Sequence, residues 1–281
     1  MSEPVSERAH EVTARWAESD VQAGEIGLHV YRAGRADRPP LVFAHGLGDS
    51  GRCWWRVAAA LEDDADVIMI DARHHGRSSS PASPASSLTD DLAVVVDALG
   101  LERATFMGHS VGARTVAQFA ATHPGRADRL VLIDPPWTAD REVDGDLRDA
   151  EREAIRGWLS SFAVMTDDDL AALGRQQHPD WPDAEYATWI ESKRQVQSEA
   201  ADDLSTIGWG SVIAAIDCPT LLVHGEPDRG GIITDDVARR IVELNDRVIN
   251  RPIEGAGHNI HREDFDSFID VVRAFLFTTA T

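Results

Sequence analysis

The sequence predicts a mostly parallel, doubly wound α/β sheet carrying an inserted helical cap. Three observations carry that expectation. Short apolar runs alternate with longer helical patterns along most of the chain. The runs are continuously apolar, as when helices cover both faces of a parallel sheet. The alternation also stops after Asp134-Pro135-Pro136 and resumes near Cys218-Pro219.

The elements follow in order. Gly24 to Ala33 reads as an antiparallel edge strand. Buried strands are expected at Leu41–Ala44, Val67–Ile70, Ala104–Met107, Leu130–Ile133 and Leu221–Val223, with a further one at Arg247–Ile249. Helical patterns cover Trp54–Leu61, Leu88–Leu99, Val111–Thr122, Asp235–Leu244 and Phe265–Phe277. Strands alternating with helices of this length imply βαβ units. The interruption, Trp137 to Ser211, has no strand pattern. It reads as helices at Asp149–Phe162, Asp167–Gln177 and Asp183–Glu199. Ser78 to Ser87 is Ser/Pro/Ala-rich and reads as a surface loop. The expected division is a core from 1 to 135, a cap from 136 to 211 and the rest of the core from 212 to 281.

Composition bounds the function. The 281 residues are 43% apolar, enough for one large core with an insertion. A net charge of −21 would be repelled by a nucleic acid or an anionic membrane. Cys53 and Cys218 follow no metal-ligand spacing and read as core thiols of a reducing compartment. Met1 to Asp20 lacks the apolar region of a signal peptide, and no apolar run is long enough to span a bilayer. A soluble cytoplasmic protein is expected.

The strongest chemical signal is Gly108-His109-Ser110-Val111-Gly112, between a strand and a helix. A sharp turn there projects a serine Oγ clear of the sheet, and the helix N-terminus offers N–H groups to an oxyanion. Ser110 is therefore the candidate nucleophile. His45-Gly46-Leu47-Gly48 also follows a strand, and the N–H groups of Leu47 and Val111 are the candidate oxyanion hole. A histidine base is expected after the last strand, where Gly255-Ala256-Gly257-His258 lies. His261 is its rival and reads as a helix-surface histidine. His45, His74, His75 and His109 read as structural or lining residues. For the carboxylate that orients the base, Asp228 is preferred, with Asp134 the alternative and Glu226 a weaker third.

With these residues in hand, the chain resembles the α/β-hydrolase superfamily. The resemblance rests on His45-Gly46-Leu47-Gly48, Asp71 to Ser78, the turn at Ser110, Glu226-Pro227-Asp228 and Gly257-His258. In that family the segment matching Asp71 to Ser78 usually reads D-x-R-G-H-G-x-S, and here His74 stands at the first glycine. The resemblance implies the triad Ser110, Asp228 and His258 and a cap where Trp137 to Ser211 lies.

The expected activity is hydrolysis of a carboxylic ester or lactone of a small to medium apolar substrate, through an acyl-enzyme and without metal or organic cofactor. Five of the eight tryptophans fall between Trp137 and Trp209, and Trp137, Trp158 and Trp189 are the candidate pocket residues. Three other readings stand beside it: a carbon–carbon hydrolase of a dienoic diketone, a cofactor-free perhydrolase, and a small-molecule receptor on a hydrolase scaffold.

Overall fold

The computed structural model describes residues 5–80, 87–142, 149–204 and 207–277. In chain order the elements are helix α1 (Val5–Thr13) and strands β1 (Ala17–Ala23), β2 (Ile26–Gly34) and β3 (Pro40–Ala44). Helix α2 (Trp55–Leu61), β4 (Asp66–Ile70), α3 (Leu88–Ala98), β5 (Ala104–His109), α4 (Val111–Thr122) and β6 (Ala127–Ile133) follow. Then come α5 (Asp149–Phe162), α6 (Asp167–Gln177), α7 (Asp183–Gln195) and α8 (Trp209–Ala215). The chain closes with β7 (Thr220–His224), α9 (Asp235–Leu244), β8 (Val248–Pro252), α10 (Ile260–Glu263) and α11 (Phe265–Phe277).

The eight strands form one sheet in the order β1-β2-β4-β3-β5-β6-β7-β8. Strands β3 to β8 run parallel, while β2 is antiparallel to both β1 and β4. The expected fold class is therefore observed. Strand β1 escaped the sequence reading because only Val21 of its seven residues is buried. Such an exposed edge strand has no apolar run to reveal it.

Two apolar layers cover the faces of the sheet. One packs Val95, Val116, Phe119, Ile213 and Ile241 of α3, α4, α8 and α9 against Val42, Phe106 and Leu132. The other packs Val57, Leu61, Phe268 and Val272 of α2 and α11 against Phe43, Met69 and Val131. The helices between β6 and β7 bury a third cluster of their own around Leu159, Phe162, Leu170, Trp181 and Trp189.

Three expectations for the inserted segment need correction. Helix α7 stops at Gln195, because Val196 turns to extended backbone and Gln197 N–H donates to the His74 carbonyl at 2.9 Å. Trp209 opens α8, which packs on α4 and α9 and belongs to the sheet's own core. Trp137 lies in that same core, stacked on Trp209 at 6.2 Å, so it packs against the sheet and not inside the helical insertion. Most of the loop from Ser78 to Ser87 lies outside the described residues.

Candidate active site

Parallel strands deliver their C-terminal loops to one edge, and the strand order decides which loops are neighbours. The loops after β3, β5 and β6 leave adjacent strands, and each carries a predicted site residue. Ser110 follows β5 with φ 52° and ψ −119°, a left-handed conformation that costs a non-glycine residue energy. Its N–H donates to the Ile133 carbonyl at 2.9 Å, and its carbonyl accepts from Arg114 N–H at 3.1 Å. The flanking glycines are steric requirements. A Cβ on Gly108 would collide with the Gly112 backbone, and one on Gly112 would collide with the Ala44 carbonyl. On the β3 loop, a Cβ on Gly46 would sit 2.9 Å from His109 Nδ1 and 3.4 Å from Ser110 Cβ. Glycine there lets the loop lie against the serine.

Among the described residues, neither the Leu47 nor the Val111 backbone N–H has a hydrogen-bond acceptor. Both residues line a cavity of about 50 Å³ beside the turn. Its apolar wall includes Leu28, Ile70, Leu92 and Leu204, and its polar residues are His45, His75, Asp91, Thr115 and Asp203. Neither Trp158 nor Trp189 lines it. Trp189 is packed inside the helical insertion. Trp158 is 42% exposed, with its ring edge 3.4 Å from where a Gly48 Cβ would be.

His258 lies on the loop after β8 and is brought to the serine turn by its neighbour. His109 Nε2 donates to the His258 carbonyl at 2.9 Å, and the two rings are 4.5 Å apart. Burial, with the His258 ring beside it, holds His109 well below the ordinary imidazole range. A neutral His109 suits this role, since it needs one N–H and no charge.

The carboxylate on His258 is Asp134. His258 Nδ1 lies 2.6 Å from Asp134 Oδ2, and the Asp134 side chain is fully buried. Oδ2 also accepts from Ile232 N–H at 2.9 Å and Oδ1 from Ile233 N–H at 3.1 Å. Because the carboxylate only accepts, Nδ1 carries the hydrogen and Nε2 is left as the acceptor. This corrects the preference for Asp228. Asp228 lies in an exposed one-turn helix, Pro227–Arg229, beyond the point where the histidine loop meets β7. That meeting is at Gly225, where a Cβ would collide with the backbone of Ala256 and Gly257, and Glu226 N–H donates to the Ala256 carbonyl at 2.7 Å. The loop after β7 thus supplies backbone donors to Asp134 in place of a carboxylate of its own. Glu226 is exposed as well.

His261 is the second correction. It is buried, with its ring 4.8 Å from His109 and 5.0 Å from Trp54. Burial and the neighbouring His109 and Arg262 hold it well below the ordinary imidazole range. A short polar stretch gave no sign that the His261 ring packs among Trp54, His109 and Phe268.

Sequence reasoning missed a buried ionic cluster. Lys193 of α7 donates to the Gly48 carbonyl at 2.6 Å and lies 3.5 Å from Asp49 Oδ1. Arg262 donates to Asp49 Oδ2 at 3.0 Å and lies 3.6 Å from Glu185 Oε2. Burial works against the charge of Asp49, but Arg262 and Lys193 outweigh it and hold the carboxyl far below its usual range. Burial pushes Glu185 up to about 7. These four side chains join the loop carrying Leu47 to the helical insertion and to the histidine loop. Each lies in a polar, charged stretch of sequence, so nothing local marks it as buried. Among the described residues no group of three or more His, Cys, Asp or Glu is placed to hold a metal ion, and no helix is long and apolar enough to cross a membrane.

The chain is similar to known proteins. The chain is 28% identical over 279 residues to N-formylmaleamate deformylase of Pseudomonas putida, covering 92% of this chain and 96% of that one. It is 28% identical over 244 residues to esterase YbfF of Escherichia coli, covering 84% and 92%. The structure of E-2-(acetamidomethylene)succinate hydrolase superposes with a TM-score of 0.79 at 19% identity, over 94% of this chain and all of that one. The alpha/beta hydrolase fold family matches residues 39–265, a span that holds the serine turn, the helical insertion and the Asp134–His258 pair, and the chain belongs to that family.

Proposed function

We propose that this protein is a serine hydrolase that cleaves a carboxylic ester or lactone through an acyl-enzyme, with Ser110, His258 and Asp134 as its triad. The observation that carries this reading is the 2.6 Å bond from His258 Nδ1 to a buried Asp134, on a loop fastened to the strained Ser110 turn. Nε2 of His258 takes the Ser110 proton as Oγ attacks the acyl carbon. The N–H groups of Leu47 and Val111 stabilise the oxyanion, and Asp134 stabilises the imidazolium that forms. Collapse of the tetrahedral species breaks the bond to the leaving alkoxide, which His258 protonates. Water, deprotonated by the same nitrogen, then releases the acid and restores Ser110.

The helices from 149 to 195 act as a cap. Lys193 and the Leu47 loop tie them over the serine, and the cavity of about 50 Å³ suits a short acyl chain. A soluble, cytoplasmic enzyme acting on small molecules, without metal or cofactor, fits this reading.

Ser110→Ala is expected to abolish turnover of p-nitrophenyl esters down to a residue of about 10³-fold over water. A fluorophosphonate is expected to label the wild type at Ser110. Labelling that persists in the variant would overturn the assignment. A second reading, hydrolysis of an N-acyl group, is favoured by the likeness to the deformylase over 92% of the chain. Comparing an N-formyl or N-acetyl substrate with an ester of the same acyl group separates the two.

A further inference from the structure

The cavity beside Ser110 has a polar end that the proposed mechanism does not use. Asp203, from the stretch that leads out of the helical insertion, lines it. Its side chain is only 4% exposed, and Oδ2 has no hydrogen-bond partner among the described residues. Two cationic or imidazole groups approach its carboxyl without bonding Oδ2. His74 Nε2 is 3.5 Å from Oδ2, and Arg73 NH1 is 3.7 Å from Oδ1. Arg73 turns its Nε and NH2 to Asp91, at 2.7 and 2.6 Å. A buried carboxyl oxygen with an unmet bond costs free energy unless a partner arrives. His74 reaches this place only by taking φ 63° where the family pattern has glycine. Strain of that kind persists where the surrounding structure demands it.

We infer that Asp203 is a specificity residue that binds a neutral oxygen function, a hydroxyl or a ketone, carried on the acyl group of the substrate a few bonds from the scissile carbonyl. The inference rests on the serine hydrolase reading above. The charges at the cavity decide among ligand classes. Asp91 and Asp203 both line it, so an acyl group ending in a carboxylate is disfavoured. Arg73 beside Asp203 offsets its charge, so a cationic group gains little. Burial, against the pull of Arg73, pushes Asp203 up to about 7, with Asp91 and Asp202 adding to the rise. Burial and Arg73 hold His74 below the ordinary imidazole range, against Glu199, Asp202 and Asp91. His45 and His75 are held below their usual range by burial as well. A protonated Asp203 donates to a ketone or hydroxyl oxygen; the carboxylate accepts from a hydroxyl alone. A site built to hydrogen-bond an oxygen rejects the analogue that lacks it far better than an apolar site rejects an added hydroxyl.

The test uses p-nitrophenyl esters in isosteric pairs: 3-hydroxybutyrate against 3-methylbutyrate, and 4-oxopentanoate against 4-methylpentanoate. The measure is the polar-to-apolar ratio of kcat/KM within each pair. The ratio in at least one pair is expected to fall about tenfold in Asp203→Leu. Asp203→Asn keeps the shape and a permanent N–H donor. In the wild type the ketone ratio is expected to fall from pH 6 to pH 8 as Asp203 loses its proton, and in Asp203→Asn to stay flat. Should Asp203→Leu not fold, these pH profiles decide. Ratios unchanged by Asp203→Leu in both pairs overturn the inference, as do, where that variant does not fold, ratios in both pairs that are flat with pH in the wild type and unchanged by Asp203→Asn. If a fluorophosphonate labels Ser110 but none of the four esters is cleaved, the inference fails alone. If Ser110 is also unlabelled, the hydrolase reading fails with it.

Discussion

Asp134 stands where three demands meet. It must leave β6 at an edge shared with the serine turn, hold a left-handed φ of 39°, and present a buried carboxylate to His258. Two backbone N–H groups from Ile232 and Ile233 meet the lone pairs that His258 leaves. Replacing the carboxylate by an amide keeps the size and removes the charge. The amide also invites the wrong histidine tautomer, so Asp134→Asn is expected to lower kcat by about 10⁴-fold. Asp228→Asn, on the exposed turn, is expected to stay within about twofold of wild type by the same reasoning about surface sites. Measuring both on one ester decides the point: a crippled Asp228→Asn with an active Asp134→Asn would place the acid on the wrong strand here. The types and positions of Ser110 and His258 were legible because a glycine-bounded turn after a strand, and a late histidine after small residues, are local patterns. The choice of acid was not. It depends on where the histidine loop crosses β7, and that crossing is fixed at Gly225, three residues before Asp228. Asp134, followed by two prolines, read instead as a hinge.

At the scale of elements, α7 is more than a cover. Lys193 bonds the Gly48 carbonyl next to the proposed oxyanion donor Leu47, and Asp49 shares its charge with Arg262 on the histidine loop. Two loops that must keep register with Ser110 are thus fastened to one helix of the insertion. Lys193→Met keeps the length of the side chain and deletes the charge. Asp49 retains Arg262, so the loss is expected near the low end of the cost of breaking a buried pair, about 3 kcal/mol. A loosened donor also reads out in catalysis. With the Leu47 N–H displaced, kcat is expected to drop about tenfold or more while KM changes little. A variant that loses stability and keeps kcat would limit this contact to holding the insertion on the core. Within the insertion, the start of α6 carries a local signal, since Thr166 caps it with Asp169, but the end of α7 at Gln195 carries none. The role of the insertion's tryptophans was not readable. A tryptophan has the same sequence signature whether it packs α8, as Trp137 does, or flanks a loop, as Trp158 does.

For the whole molecule the notable sum is of buried imidazoles. His45, His75, His109 and His261 are buried, and burial holds each below its ordinary value of 6.5, His75 at about 3. As pH falls below 6.5 the unfolded chain takes up protons at these positions before the folded chain does. A group depressed in this way stabilises the fold above its unfolded pKa, and that stabilisation is lost as pH falls toward its folded pKa. Glu185 acts in the opposite direction. Its folded pKa of about 7 lies above the ordinary 4.5, so the folded state binds the extra proton between those values and gains stability on acidification. His74 and His178 are held low as well, and Asp203 joins Glu185 in being held up, so the depressed histidines outnumber the raised carboxyls and unfolding takes up protons near pH 5.5, each net proton costing roughly 1.4 kcal/mol of stability per pH unit. Relief of repulsion among surface carboxylates opposes this, but at 0.15 M salt it is screened beyond about 8 Å, and the buried groups are not. A domain of ordinary stability, about 5–15 kcal/mol, has little margin against such a slope. The Tm is therefore expected to fall between about pH 6.5 and pH 5, with Glu185→Gln steepening the fall because it removes one of the opposing carboxyls. Thermal unfolding at a series of pH values checks both statements. A Tm that is level across that range would mean that these histidines are protonated in the folded protein, and then the neutral His109 that donates to the His258 carbonyl could not be the form that holds the base in place.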